Sequence, residues 1–428
     1  MLNRALNFFT SLRLTVACLA LAVILVFVGT LAQVNIGLYE AQERFFRSVF
    51  IYWTPDGMAP LRIPVFPGGW LIGGVLLINL IAAHIKRFQL SRKKIGILLT
   101  HAGLILLLFG QFLTEVFQTE NQLRIEVGTS KNYTEANREY ELAIVDVTDP
   151  ERDQVVVFPE SFLAKGGEIR DAGLPFVLRV KKYFPNSTPI GPMTIEAGKL
   201  SASKGIGTRI HFGEAPVTAT MDNENKPAAL LEVVSEKGMI GDWVVSTWLT
   251  KYPWFGLLQE QTASTLGTAL LEPQSFSVGE RRYEIALRPV RDYKPYKITL
   301  LEFKHDVYQG TTVPKNFSSK IHLDDPANGE DRDVLIYMNN PLRYRGETFY
   351  QSGFEPGDKV SILQVVRNPA SIAPYLACSV MGLGLTVQFL MHLFNFAKRK
   401  VHPTKPASVR KPALQPAIPA LAEQRINS

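Results

Sequence analysis

Four stretches of this chain are long and apolar enough to cross a bilayer, and they confine everything else to the two faces of a membrane. They run over about residues 14–34, 69–84, 95–114 and 372–396, and the third carries no charge. A bilayer takes ~20 residues of α-helix to cross. Its hydrocarbon admits only helices or closed barrels, because every backbone N–H and C=O must find a partner within the protein.

Positive charge sorts the ends of these segments. Arg4 and Arg13 precede the first. Lys86, Arg87, Arg92, Lys93 and Lys94 fill the short link between the second and third, and Lys398, Arg399 and Lys400 follow the fourth. With four crossings all three clusters fall on one side, as the positive-inside rule requires. Both termini are then expected in the cytoplasm and residues 115–368 outside. A cleaved signal peptide is the rival reading of the N-terminus, with Thr30-Leu-Ala32 as a cleavage-like triplet. The apolar run is longer than a signal core, so a retained anchor is expected.

The net charge of +7 is accounted for by these topological clusters. No zinc-finger spacing, RNA-binding aromatic motif or basic helix accompanies it, so nucleic acid is not an expected partner. Cys18 and Cys378 are the two cysteines, both inside apolar segments. The exported region has none, which excludes a disulfide framework and CxxC thiol chemistry there.

Between the first two spans, Leu38, Ala41, Phe45, Val49 and Trp53 recur at helical spacing with Glu40, Glu43 and Arg47 between them. A short amphipathic helix on the outer membrane surface is expected within 35–67, with packing against the exported domain as its alternative. The exported region alternates apolar and polar residues over 123–127, 141–147, 176–180, 283–287, 298–303 and 360–366. Pro185-Asn186, Asn328-Gly329 and Pro356-Gly-Asp358 are turn signals among them. The fold class is therefore a membrane protein of four transmembrane α-helices with a large extracytoplasmic all-β, sandwich-like domain between helices three and four. Residues 1–116 form a three-helix membrane region, 117–370 the β-rich domain, 371–398 the fourth helix and 399–428 a disordered cytoplasmic tail rich in Pro and Ala. The Gly/Ser/Lys-rich run 190–213 is a possible midpoint between two halves.

No catalytic constellation is present. His211, His305 and His322 are scattered without ligand spacing and read as surface or strand residues, and GxSxG and HExxH are absent. The membrane segments carry the chemistry, since an ionisable group inside a span is costly and points to function. His84 stands two residues before Lys86 and is expected to reach the interface. His101 lies ~9 Å into the third helix, and His392 lies at a similar depth from the end of the fourth, counting ~1.5 Å per residue. Ile97, Leu104, Ile105, Leu108 and Phe112 share the face of His101, while Gly96, Gly103 and Gly110 recur every seven residues on the opposite face. A glycine stripe permits close helix packing. A histidine amid bulky apolar groups suits a haem axial ligand, and it equally suits an imidazole hydrogen-bonded between helices. On the residues alone both readings stand. Arg87, Arg92, Lys93 and Lys94 are placed to pair with haem propionates. His392, with Gln388 one turn earlier, is a second candidate that also fits the interface.

The chain resembles the ResB family, also called CcsB, of the System II cytochrome c biogenesis machinery. The resemblance runs through Ser11-Leu-Arg-Leu-Thr15, Gly29-Thr-Leu-Ala-Gln33, Phe66-Pro-Gly-Gly69 and Thr100-His-Ala-Gly103. It continues in Gly310-Thr-Thr-Val-Pro-Lys-Asn-Phe-Ser318, Asn340-Pro-Leu-Arg-Tyr-Arg-Gly346, Thr348-Phe-Tyr-Gln-Ser352 and Arg367-Asn-Pro369. It implies a subunit of the bacterial cytoplasmic membrane that works with a CcsA/ResC-type partner, which carries the tryptophan-rich haem-handling motif absent here. Together they would move haem b outward, keep it reduced and attach it to the CxxCH thiols of apocytochrome c. The family's third-helix histidine falls on His101, which the resemblance makes a ligand of the haem iron. The chain alone is not expected to complete the ligation. A membrane-anchored apocytochrome c chaperone without its own haem, and a non-catalytic anchor or sensor, are the alternatives.

Overall fold

A computed structural model describes residues 7–53, 62–86, 91, 94–190, 198–218, 225–249, 273–310, 314–355, 357 and 359–401. Four long helices account for the apolar segments: α1 (Leu12–Ala41), α2 (Gly69–Lys86), α3 (Ile95–Phe117) and, after a short α4 (Glu160–Lys165), α5 (Ala373–Val401). Ser11 caps α1 by accepting a hydrogen bond from the Arg13 N–H at 3.2 Å. On α1, Val23, Phe27 and Val34 stand 70%, 65% and 72% exposed. Apolar side chains bared on several sides of a helix belong in lipid rather than water. All four long helices have the length and composition of spans, and the chain is a membrane protein.

The helices pack as two pairs. In α2, Asn79 is buried against the start of α1 and fully engaged. Its side chain accepts from Thr15 Oγ1 at 2.6 Å and donates to the carbonyls of Phe9 and Ser11 at 2.6 and 3.2 Å. Buried among apolar helices, such an amide must be paired or it costs the helix. Asn79→Leu is expected to destabilise the α1–α2 pair by about 1–2 kcal/mol, read as a lower thermal midpoint of the purified protein in detergent.

In the second pair, α3 lies along α5 through the glycine stripe. Gly96, Gly103 and Gly110 are the buried residues of α3. A Cβ on Gly103 would stand 2.5 Å from Met381 Cγ and 2.8 Å from the Ala377 carbonyl oxygen, and one on Gly110 2.6 Å from Ala373 Cβ. Gly384 of α5 answers from the other side, its Cβ position lying 2.6 Å from the Thr100 nitrogen. The spacing of seven read from the sequence is thus a helix contact, and its partner is α5.

The β domain explains why these two helices are neighbours. Strand β3 (Thr119–Glu126) begins directly after α3, and β18 (Val360–Arg367) ends just before α5. The two pair antiparallel, with Thr119 opposite Arg367. A hydrogen-bonded ladder therefore holds the ends of α3 and α5 together, and Asn368 reinforces it by donating to Thr114 Oγ1 and Gln118 Oε1 at 3.2 and 3.4 Å.

Every alternating segment lies in or at the end of a strand. The largest sheet runs β15 (Glu330–Tyr337), β14 (Pro314–Asp325), β13 (Arg281–Val307), β4 (Ser130–Asp146), β3, β18, β17 (Glu347–Phe354), β16 (Leu342–Tyr344). Strand β12 (Gln274–Val278) adds to β13, and β5 (Gln154–Pro159) adds to β4. Above them lies a four-stranded sheet of β11 (Gly238–Ser246), β10 (Ala228–Ser235), β7 (Phe176–Phe184) and β6 (Gly167–Ile169). Leu142, Ile144, Tyr283 and Ile285 from one sheet meet Leu178, Leu231, Val233 and Trp243 from the other. This is the sandwich. A second core gathers Leu123, Ile298, Leu300, Ile321, Ile336, Leu342, Phe349 and Leu363 inside the curled end of the large sheet.

Strand β13 supplies both cores, so the sequence segments 283–287 and 298–303 belong to one strand of 27 residues. Its ladder with β4 shifts register between Pro289 and Arg291 and again between Tyr293 and Ile298. Pro289 and Pro295 lack the N–H that a continuous ladder needs, so bulges occur where they fall. Of the run 190–213, Ile190 pairs with His211 in a small hairpin, β8 (Ser187–Ile190) with β9 (His211–Glu214), and Leu200 bridges Phe212, while the sandwich core draws on residues both before and after the run. Residues 191–197 and 402–428, the latter nearly all of the expected tail, lie outside the described residues, while α5 continues helical to Val401.

The segment 35–67 departs from the expected amphipathic helix. Gly37, with φ 79°, interrupts α1, and the chain is helical again over residues 38–46, ending in a π turn at Gln42–Phe46, so only the Leu38, Ala41 and Phe45 part of the expected helix is found. Phe50–Trp53 then pairs with Ile63–Pro67 as the hairpin β1–β2. Helical spacing predicted Val49 and Trp53 on the same helix, but Phe50-Ile-Tyr-Trp53 is an aromatic and β-branched run that favours a strand. Arg47 bonds Glu43 and Glu115, fastening the π turn to the end of α3.

Candidate functional site in the membrane helices

The site sits on α3, on the side away from α5. The stripe glycines turn one face of α3 into α5, which leaves His101, Ile97, Leu104 and Phe112 exposed on the other. The imidazole Nδ1 of His101 lies 2.9 Å from the carbonyl oxygen of Ile97, one turn back. A carbonyl only accepts, so Nδ1 carries the proton and donates it. In the neutral ring Nε2 then holds a lone pair. Fixing one ring nitrogen on a backbone carbonyl is how proteins orient a metal-ligating histidine.

The imidazole of His84, on α2, stands beside it. The two ring centroids are 6.0 Å apart and the ring planes 24° from parallel. The sequence reading sent His84 to the interface beside Lys86. Lys86 instead donates to Asn7 Oδ1 at 2.6 Å, and His84 is half-buried. The signal was present: two helices joined by a short link form a hairpin, which brings residues at comparable distances from the link close together.

His392 is placed elsewhere. Gly96 faces Gln388, and Gly384 faces Thr100, so His101 is level with the 381–384 stretch of α5. His392 lies roughly nine residues further along, ~13 Å at the helical rise. The expected similar depth is therefore not found. Counting each histidine from the end of its own apolar stretch ignored that α5 runs well past the start of α3. The Nε2 of His392 is also engaged, 2.8 Å from the side-chain nitrogen of Gln388. Of the expected propionate partners, Lys94 begins α3 two turns before His101. Arg87, Arg92 and Lys93 lie outside the described residues.

Among the described residues of the β domain no comparable site occurs. His322 lies 3.0 Å from Asp333 Oδ1 and 3.3 Å from Asp331, and His305 packs on the Phe354 ring at 4.2 Å between centroids. No group of three His, Cys, Asp or Glu with metal-binding proximity occurs among the described residues. Cys18 is buried in α1 and Cys378 exposed on α5, both free thiols. The domain motifs that carry the resemblance build turns. Tyr344 and Arg345 both donate to the buried Asp325 at 2.8 Å, and Arg345 and Gly346 take φ 48° and 79° in the turn after them. Hydrogen bonds from Asn328, Tyr344 and Arg345 outweigh desolvation and hold the Asp325 carboxyl below its usual range.

A family model described as the ResB-like family matches residues 260–362. Over that stretch the chain is similar to the ResB-like family. The matched stretch lies in the β domain, from before β12 into β18, and does not include α3. The chain is also 23% identical over 333 residues to protein NrfI of Wolinella succinogenes. That alignment covers 77% of this chain and 31% of NrfI, so the chain spans about a third of its relative's length.

Proposed function

We propose that this chain is a ResB-like subunit of the cytochrome c maturation machinery. With a CcsA/ResC-type membrane partner it passes reduced haem b across the cytoplasmic membrane, for attachment to the CxxCH thiols of an apocytochrome c. Haem is its cargo, and ligation is completed by the complex rather than by this chain. The observation that carries the reading is the state of His101. Its Nδ1 is committed to the Ile97 carbonyl, its Nε2 is the basic nitrogen, and the exposed apolar side chains of Ile97 and Leu104 lie within a turn of it on α3. That is what a haem axial ligand requires: a neutral, oriented imidazole and greasy walls for the macrocycle. Lys94, with Arg87, Arg92 and Lys93 of the link, serves the propionates in this reading.

In the same reading the β domain lies outside and both termini lie in the cytoplasm. The basic clusters support this, because they all fall at the helix ends opposite the β domain. Two measurements test the proposal. Reporter fusions at Lys93 and Lys400 are expected to report cytoplasm and a fusion at Gly213 the outside, and an external signal at Lys93 overturns the orientation. The full chain purified from membranes with its partner is expected to show a haem absorption band. No band, with a CxxCH peptide still captured, overturns haem handling and leaves an apocytochrome c chaperone.

A further inference from the structure

The hairpin β1–β2 and the π turn before it border an open groove of about 800 Å³. Main-chain bonds set its depth in the membrane. The Ser48 carbonyl accepts from the Trp70 N–H at 3.2 Å and the Val49 carbonyl from the Gly68 N–H at 2.9 Å, which fixes the groove's rim to the first turn of α2. α2 has 18 residues and extends ~27 Å at the helical rise, about the thickness of the hydrocarbon. All of it is needed to cross, so its first turn lies where hydrocarbon meets headgroups. Arg47 of the same segment bonds Glu115 at the end of α3, directly before β3, so the groove opens on the side that carries the β domain.

Both signs of charge line it, through Glu40, Glu43, Arg44 and Arg62. Glu43 is held by Arg47 at 2.7 Å. Glu40, Arg44 and Arg62 are exposed and form no ion pair with any described residue. With Arg47 and Glu115 counted, three carboxylates stand against three guanidiniums, so the surroundings are neutral while two bases and one acid are left without a partner. A zwitterion meets that pattern better than an anion does. Phe50, Tyr52 and Trp53 line the rest of the groove with exposed rings, the residue types that concentrate at a membrane–water boundary. Val34 and Leu38 of α1, within two turns of Glu40, continue the exposed apolar surface toward the hydrocarbon.

We propose that this groove binds a phospholipid of the leaflet on the β-domain side, one whose headgroup carries a primary ammonium. Arg44 and Arg62 take the phosphate, which a guanidinium fork matches. Glu40 accepts from the ammonium. The acyl chains run down the exposed surface of α1. A quaternary headgroup has no N–H to give Glu40, and a glycerol headgroup has no cation to offset it. The seated lipid bridges the π turn to the start of β2 and so pins the hairpin to the bilayer. The inference does not depend on the role of His101.

The test uses the purified full-length chain in mild detergent. It is titrated with dioleoyl phosphatidylethanolamine, phosphatidylcholine or phosphatidylglycerol, and native mass spectrometry reads the lipid retained. The ethanolamine lipid is expected to bind about 10-fold more tightly than the other two, the effect of one charge-assisted hydrogen bond. Glu40→Gln is expected to bring it down to the choline lipid's level and to leave that level unchanged. The double variant Arg44→Gln, Arg62→Gln is expected to weaken all three lipids by about 10-fold or more, since both phosphate contacts go. Arg44→Lys with Arg62→Lys should recover part of the loss. Equal binding of the three lipids by the wild-type chain overturns the assignment. Wild-type lipid binding by the double glutamine variant also overturns it, and if that variant no longer co-purifies with the membrane partner, the groove is a protein interface instead.

Discussion

Gly103→Val is expected to separate α3 from α5 and to cost the membrane domain ~3 kcal/mol or more, the upper range for overpacking a close contact. The reason is that the obstructing atoms include backbone. A Cβ alone would stand 2.8 Å from the Ala377 carbonyl oxygen and 2.9 Å from the Met381 nitrogen, neither of which can rotate away. The helices would have to move apart, and the β3–β18 ladder that joins their ends would be strained with them. Gly382→Val on α5 is the matched control, because nothing lies within 4 Å of its Cβ position, and it should fall within about ±0.5 kcal/mol of wild type. Thermal midpoint and monodispersity in mild detergent read both variants. A Gly103→Val protein as stable as wild type would show that the stripe is not the seam of this pair.

His101→Ala is expected to lower bound haem at least ~10-fold, since even the supporting groups of a metal site cost that much when removed. The protein should still insert, because the side chain is exposed on α3 and takes no part in the seam with α5. His101→Gly should regain part of its haem with added imidazole, as a diffusible ring can occupy the vacated position. Substitutions at His211, His305 and His322 should leave haem content close to wild type. His322 is held by carboxylates and His305 packs among phenylalanines, and both lie in the β domain away from the helical hairpin. Normal haem content together with normal cytochrome maturation in His101→Ala would sink the ligand assignment and leave the chaperone reading in front.

The sequence by itself determined whatever depends on neighbours along the chain. Continuous apolar runs mark spans because the bilayer imposes their length, and alternating runs mark strands because side chains point to opposite faces of a sheet. The β-rich domain between the third and fourth helices was legible for that reason, as was the glycine face of α3 opposite His101. Where two local signals competed, sequence reading failed: helical spacing carried Val49 and Trp53 into a helix, although Phe50–Trp53 pairs as a strand. Pairings between distant residues were decided only by the tertiary structure. Asn79 looked like one more residue of an apolar helix until its three partners near residues 9–15 appeared. His84 looked like an interfacial residue until the hairpin set it 6.0 Å from His101, and His392 looked level with His101 until the α3–α5 register displaced it. Periodicity gives the face on which a side chain lies and the rise gives its distance along its own helix. Neither carries the offset between two helices, which is set by close packing of glycines against backbone and by the strand ladder that ties the helix ends together.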